Sequence, residues 1–147
     1  FLRLGFDELG VEVRESELRE AVARLDGIIG WLTYYGYHRS RSGRREALER
    51  TLEEGSRLAA SEISSFLASR QVARRRYVEV LRILLRPSRW SEVKRGLRYS
   101  LGKEISDKQV SSYLRELVDY GFVLREDELY FIADPLLSEA VSRGYVR

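Results

Sequence analysis

Between Arg70 and Arg98 the chain sets ten basic side chains (Arg70, Arg74, Arg75, Arg76, Arg82, Arg86, Arg89, Lys94, Arg95 and Arg98) against two acids, Glu79 and Glu92. A local excess of this size is an electrostatic footprint that can follow phosphates. Other chemistry is sparse. There is no cysteine and a single histidine, His38, which excludes disulfides, thiol catalysis and a multi-histidine metal site. No Gly-rich phosphate loop, nucleophile elbow or acidic ladder of metal-binding spacing occurs. Catalysis is therefore not expected of these residues, and no metal site is expected. His38 has no sequence neighbour that marks it as a ligand, and reads as a surface or inter-helix histidine. Glu53 and Glu54 read as part of a solvated helix face. Trp31, Tyr34, Tyr35 and Tyr37 could form a stacking platform for bases, but an aromatic stripe at helical spacing reads first as core.

The elements that must position these groups are mostly helical. A short apolar segment, residues 1–9, is closed by Gly10. A helix is expected from about Ser16, with Leu18, Ala21, Val22 and Leu25 on its buried face and Gly27 as its stop. The aromatic run GIIGWLTYYGYH and the loop HRSRSGRR follow. A long helix is predicted from about Arg45 to Ser69, burying Leu48, Leu52, Gly55, Ala59, Ile63 and Phe66. Beyond Arg70 the pattern shortens. A helix over about Tyr77–Leu85 ends before Pro87, and a second begins at Trp90 with Ser91 as the expected N-cap and closes at Gly102. The third has a capping box in Ser106 and Gln109, with Ile105 and Val110 at the positions of a hydrophobic staple, and ends at Gly121. FVLR and ELYFI then alternate as a β-hairpin, and Asp134 with Pro135 opens a last helix.

Helix, helix, capped helix, hairpin is the order of a winged helix-turn-helix. The predicted fold is mainly α: a four-helix lid-like subdomain over 1–70, followed by a winged-helix domain over 71–147 with a small hairpin wing. Net charge is +3 for the whole chain. It is uneven, with the excess lying in the second half. If nucleic acid is bound there, the expected contacts are Arg74, Arg75, Arg76, Lys94, Arg98, Lys108, Ser112 and Arg115. Against that reading, the outer face of the third helix also carries Glu116 and Asp119, and the wing tip is Glu126, Asp127 and Glu128. A winged helix that packs on a protein is the alternative. No stretch approaches the ~20 apolar residues of a membrane helix, so no membrane partner is expected and the expected location is cytoplasmic. The chain contains no methionine, which suggests that it is part of a longer protein.

The run LGFDELGVEV, a helix, and then DGIIGWLTYYGY resembles the helical lid of archaeal P-loop ATPases, the AAA+-like group close to STAND NTPases. In that family a winged helix follows the lid. The segment WSEVKRGLRYSLGKEISDKQVSSYLRELVDYGFV, ending YFIADPLL, is similar to it. The resemblance spans essentially all 147 residues. It implies ATP and Mg bound by an N-terminal P-loop domain that would be the partner of this part, with no cofactor held here. The family's Gly-x-Pro element, which meets the nucleotide, corresponds to Gly27, Ile28 and Ile29, with Ile29 in the proline's place; Gly30 completes the nucleotide-proximal turn. A hydrophobic-His-Asp element of related STAND proteins corresponds to Ile132, Ala133 and Asp134. Ala133 offers no imidazole to a phosphate. The implied role is conformational, coupling nucleotide state to a partner of the winged helix. The alternative is a DNA-binding module resembling a transcription regulator.

Overall fold

The computed structural model describes residues 1–147. Eight helices and three short strands divide into two compact units, Phe1–Arg57 and Leu58–Arg147. The first unit contains α1 (Leu2–Glu8), α2 (Glu15–Arg24), α3 (Ile29–Arg39) and the start of α4 (Arg44–Ala68), which continues into the second. Its core is Leu2, Phe6, Leu18, Ala21, Leu25, Leu32, Tyr35, Ala47, Leu48 and Leu52, with the Phe6 ring edge-on to Tyr35 at 6.4 Å. The buried stripe of α2 differs from the expected one. Val22 is 44% exposed, and Glu17 is buried in its stead. Two distant polar partners draw Glu17 inward, as described below.

In the second unit α4 is followed by α5 (Arg74–Ile83), β1 (Ser88–Arg89), α6 (Trp90–Leu101), α7 (Asp107–Asp119), β2 (Val123–Glu126), β3 (Leu129–Ile132) and α8 (Pro135–Ser142). The sheet order is β1-β3-β2, all antiparallel, with Arg89 opposite Leu129 and Glu126 opposite Leu129 on its other side. The division between units falls inside α4 rather than near residue 70 because the end of α4 belongs to the second core. Phe66 lies edge-on to Tyr77, Tyr120 and Phe122, with ring centroids 5.3, 4.9 and 5.4 Å away.

Local signals account for most of these boundaries. Ser106 Oγ accepts from Gln109 N at 3.2 Å and Gln109 Oε1 from Ser106 N at 3.3 Å, while Ile105 and Val110 are buried. The capping box and staple therefore form as the sequence predicts. Asp134 Oδ1 accepts from Leu136 N at 2.8 Å, with Pro135 as first helical residue. The start of α6 differs: its N-cap is Arg89, and Glu92 Oε2 accepts from Arg89 N at 2.7 Å, whereas Ser91 lies within the helix. Pairing of Ser88 and Arg89 with β3 fixes the chain one residue ahead of Trp90.

The hairpin turn is made by Asp127 and Glu128, at φ 49° and 65°. Two left-handed residues are what a two-residue hairpin turn needs, and glycine or asparagine ordinarily supply them. A glutamate there costs about 1 kcal/mol. Glu128→Gly is expected to raise stability by about 0.5 kcal/mol after the greater freedom of unfolded glycine is deducted. A urea titration of the two proteins measures it, and equal or lower stability of the variant contradicts the strain.

Candidate functional site

In α7, Lys108, Ser112 and Arg115 are exposed and recur at i, i+4 and i+7, so they share one side of the helix. Their neighbours are engaged elsewhere. Gln109 is occupied by the cap, Ser111 Oγ accepts from Trp90 Nε1 at 3.1 Å, and Asp107 pairs with Lys94. Glu116, expected on the outer face, turns to the end of α4 and to α5: Arg70 Nε lies 3.1 Å from its Oε2, and Tyr77 OH donates to the same oxygen. The Arg70 guanidinium lies over Phe66 at 3.9 Å and Tyr120 at 5.1 Å. The Tyr77 hydrogen bond and Arg70 hold the Glu116 carboxyl below its ordinary range; burial and Glu116 push the Tyr77 phenol up. Sequence spacing misplaced Glu116 because its partners lie 46 and 39 residues away.

The basic stretch does not form one continuous track. Arg74 Nε donates to the Arg147 carbonyl at 2.6 Å, and Arg76 Nη1 donates to Tyr113 OH at 2.7 Å. Arg82 pairs with Glu79, Lys94 with Asp107, and Arg98 with Glu104 at 2.9 Å. Arg75, Arg86, Arg89 and Arg95 remain exposed. The wing tip is acidic, as the sequence indicates: Glu126, Asp127 and Glu128 are all exposed. Ala133 donates its amide to the Phe122 carbonyl at 3.0 Å, and Asp134 serves as helix cap.

In the first unit, Gly27 and Ile28 close the α2–α3 turn, and Ile29 and Gly30 are the first residues of α3. Asp26 and Gly27 both take positive φ, 52° and 67°, and Gly27 N donates to Val22 O at 3.0 Å, a helix-closing geometry that favours glycine. Ile28 caps α3, and Ile29, its first residue, is an aliphatic side chain left 65% exposed. The aromatic run divides. Tyr35 is buried, whereas Tyr34 and Tyr37 are exposed and Trp31 is half-buried, its ring 6.0 Å from Tyr34. His38 is buried and has a partner the sequence did not reveal, its Nε2 standing 3.0 Å from Glu54 Oε2. It is thus an inter-helix histidine.

The polar centre of this unit is Glu17. Tyr35 OH donates to Glu17 Oε1 at 2.7 Å and Arg39 Nε at 2.5 Å, and Arg39 Nη2 reaches the Glu12 carbonyl at 3.2 Å. Burial pushes the Glu17 carboxyl up, but the hydrogen bonds from Arg39 and Tyr35, with the charges of Arg39 and Arg44, outweigh it and hold the group below its usual value. An open cleft of about 760 Å³ lies over this cluster, lined also by Arg3, Asp7, Arg14 and Arg44. A smaller, mainly apolar groove of about 440 Å³ lies between α1 and α3. The set offers mixed charge and no constellation of acid, base and nucleophile. It ties the loop before α2 to α3.

Three helices with a capped third, a three-stranded sheet and a hairpin wing define the second unit as a winged helix-turn-helix domain. Comparison with known proteins adds detail. Residues 71–133 match the MCM protein C-terminal winged helix-turn-helix domain. The chain is similar in structure to the Walker-type ATPase of Pyrococcus abyssi, with a TM-score of 0.81 and 33% sequence identity over 96% of this chain. The resemblance to archaeal P-loop ATPases read from the sequence is thereby borne out. The matched region spans 39% of that ATPase. No curated protein matches the chain. No helix is long and apolar enough to cross a membrane.

Proposed function

We propose that this chain is the lid and C-terminal winged-helix portion of an AAA+- or STAND-like ATPase, relaying nucleotide state at a P-loop domain to the winged helix or its partner. The observation that supports this reading best is that the similarity to the Walker-type ATPase extends over both units at 33% identity. Ile29, exposed at the start of α3, offers an apolar side chain to a nucleotide. Packed on an adenine, it would contribute on the order of 1.5 kcal/mol. Coupling requires that ATP and ADP favour different states of the winged helix, docked or released, because a ligand with equal affinity for both shifts nothing.

The test uses the longer protein with its P-loop domain and a fluorescent ATP analogue. Ile29→Asp is expected to weaken ATP binding roughly tenfold, the equivalent of about 1.4 kcal/mol. The present chain alone is expected to turn over no ATP. ATP hydrolysis by this chain alone, or unchanged affinity in the Ile29→Asp protein, contradicts the proposal.

A further inference from the structure

Apart from one exposed ion pair, Arg98 with Glu104, the outward side of α6 is engaged by nothing else in its unit. Arg95, Arg98, Tyr99 and Gly102 recur there at three- and four-residue spacing, while Val93 and Leu97 point into the core. Tyr99 is 92% exposed, close to complete solvation for a side chain of that size. Arg95 is exposed and makes no ion pair. Arg98 reaches Glu104, but both side chains are about two-thirds exposed (68% and 65%), and such a pair exchanges readily for a phosphate. Exposed Lys103 extends the row past the end of the helix. The other basic residue of α6, Lys94, is turned away to Asp107 and the Trp90 ring. The result is a planar aromatic group flanked by two guanidinium groups on a rigid helix.

We infer that this face of α6 binds single-stranded nucleic acid, with a base stacked on Tyr99 and the backbone held by Arg95 and Arg98. Stacking on an exposed ring requires an unpaired base, which a duplex does not present. The position fits a single strand as well. A duplex laid along α7 and the hairpin would meet Glu126, Asp127 and Glu128, whereas Tyr99 lies ten residues along α6 from Arg89, the residue paired beside that turn. At 1.5 Å per residue this is about 15 Å of helix, so a narrow strand can occupy the face without approaching the acidic tip. The inference concerns the winged helix alone and stands whether or not the chain responds to nucleotide.

Fluorescence anisotropy of this chain with a labelled 20-nucleotide oligo(dT) and with a 20-base-pair duplex tests it. The single strand is expected to bind more tightly. Tyr99→Ala should weaken that binding about tenfold, an effect of the size typical for losing one base stack, while Tyr99→Phe retains it. Replacing Arg95 and Arg98 together by alanine should reduce the salt slope by roughly 1.4, from about 0.7 per phosphate contact on a single strand. All these side chains are exposed, so unchanged thermal melting separates a contact effect from misfolding. No binding of oligo(dT), wild-type affinity of Tyr99→Ala, or tighter binding of the duplex each overturns the assignment. So does loss of binding on Lys108→Ala with Arg115→Ala while Tyr99→Ala binds normally, which would move the contact to α7.

Discussion

Arg39→Ala is expected to destabilise the first unit by about 3 kcal/mol, near the lower end for breaking a buried ion pair. The magnitude follows from what the substitution leaves behind. The Glu17 side chain is 6% exposed and that of Arg39 18%, so removing the guanidinium leaves a largely buried carboxylate without its charged partner. Tyr35 OH still donates at 2.7 Å, which keeps the loss from being larger. A domain of this size has ~5–15 kcal/mol in hand, so the unit should remain folded but with a much lower midpoint. Glu17→Gln combined with Arg39→Ala should be more stable than Arg39→Ala alone, because no unpaired carboxylate remains. Each unit holds one tryptophan, Trp31 or Trp90. Urea unfolding in a Trp90→Phe background therefore reports the first unit.

The same cluster sets a pH dependence. The Glu17 carboxyl lies below its usual range in the folded chain, so the unfolded state takes up its proton first as pH falls. Its contribution is fully present above the unfolded value of ~4.3 and is lost as pH drops through the folded value. Wild type should lose stability through this group below about pH 4. Glu17→Gln should show a shallower acid slope, and identical slopes in the two proteins would show that Glu17 is not the responsible carboxyl.

Much of the architecture was legible because it is local. Ser106 with Gln109, Ile105 with Val110, and Asp134 with Pro135 are complete instructions within a few residues, and the structure carries out all three. The face of α4 through Leu48, Leu52, Ala59, Ile63 and Phe66 is buried as its periodicity indicates. What escaped depends on partners far along the chain. Glu17 lies one turn before Ala21, at the edge of the buried stripe, and its charge argues for the surface; Tyr35 and Arg39, 18 and 22 residues on, bring it inside. Glu116 moved from the recognition face for the same reason. The strand β1 is two residues long and exists only through β3. Among candidate site residues, Gly27 was readable as a helix stop, and it closes α2 at positive φ. Arg74 and Arg76 could not be told from free cations, because a carbonyl and a phenol took them up rather than a neighbouring acid.

Gly96 is the glycine whose absent side chain matters most to the winged helix, and Gly96→Val is expected to cost about 3 kcal/mol, at the upper end for overpacking. A Cβ at this position would lie 2.6 Å from Ile83 Cδ1 and 2.9 Å from Ile83 Cγ1, far inside van der Waals contact. Gly96 lies within α6 at φ below zero, so the effect is one of space between α5 and α6 and not of backbone conformation. Alanine there gains ~1 kcal/mol of helix propensity over glycine, and a rotation of the Ile83 side chain could relieve part of the clash, so its net change should be small. Valine adds two further methyl groups and is β-branched within a helix, which removes that escape. Shortening the obstacle should restore the fit: Gly96→Val with Ile83→Ala is expected to be more stable than Gly96→Val alone, although Ile83→Ala by itself is destabilising. A urea double-mutant cycle in a Trp31→Phe background measures the coupling through Trp90. If the two changes simply add, the α5–α6 approach is not set by this contact. A favourable coupling would instead make Gly96 the residue that lets α6 lie against α5 with Arg95, Arg98 and Tyr99 held outward on a fixed helix.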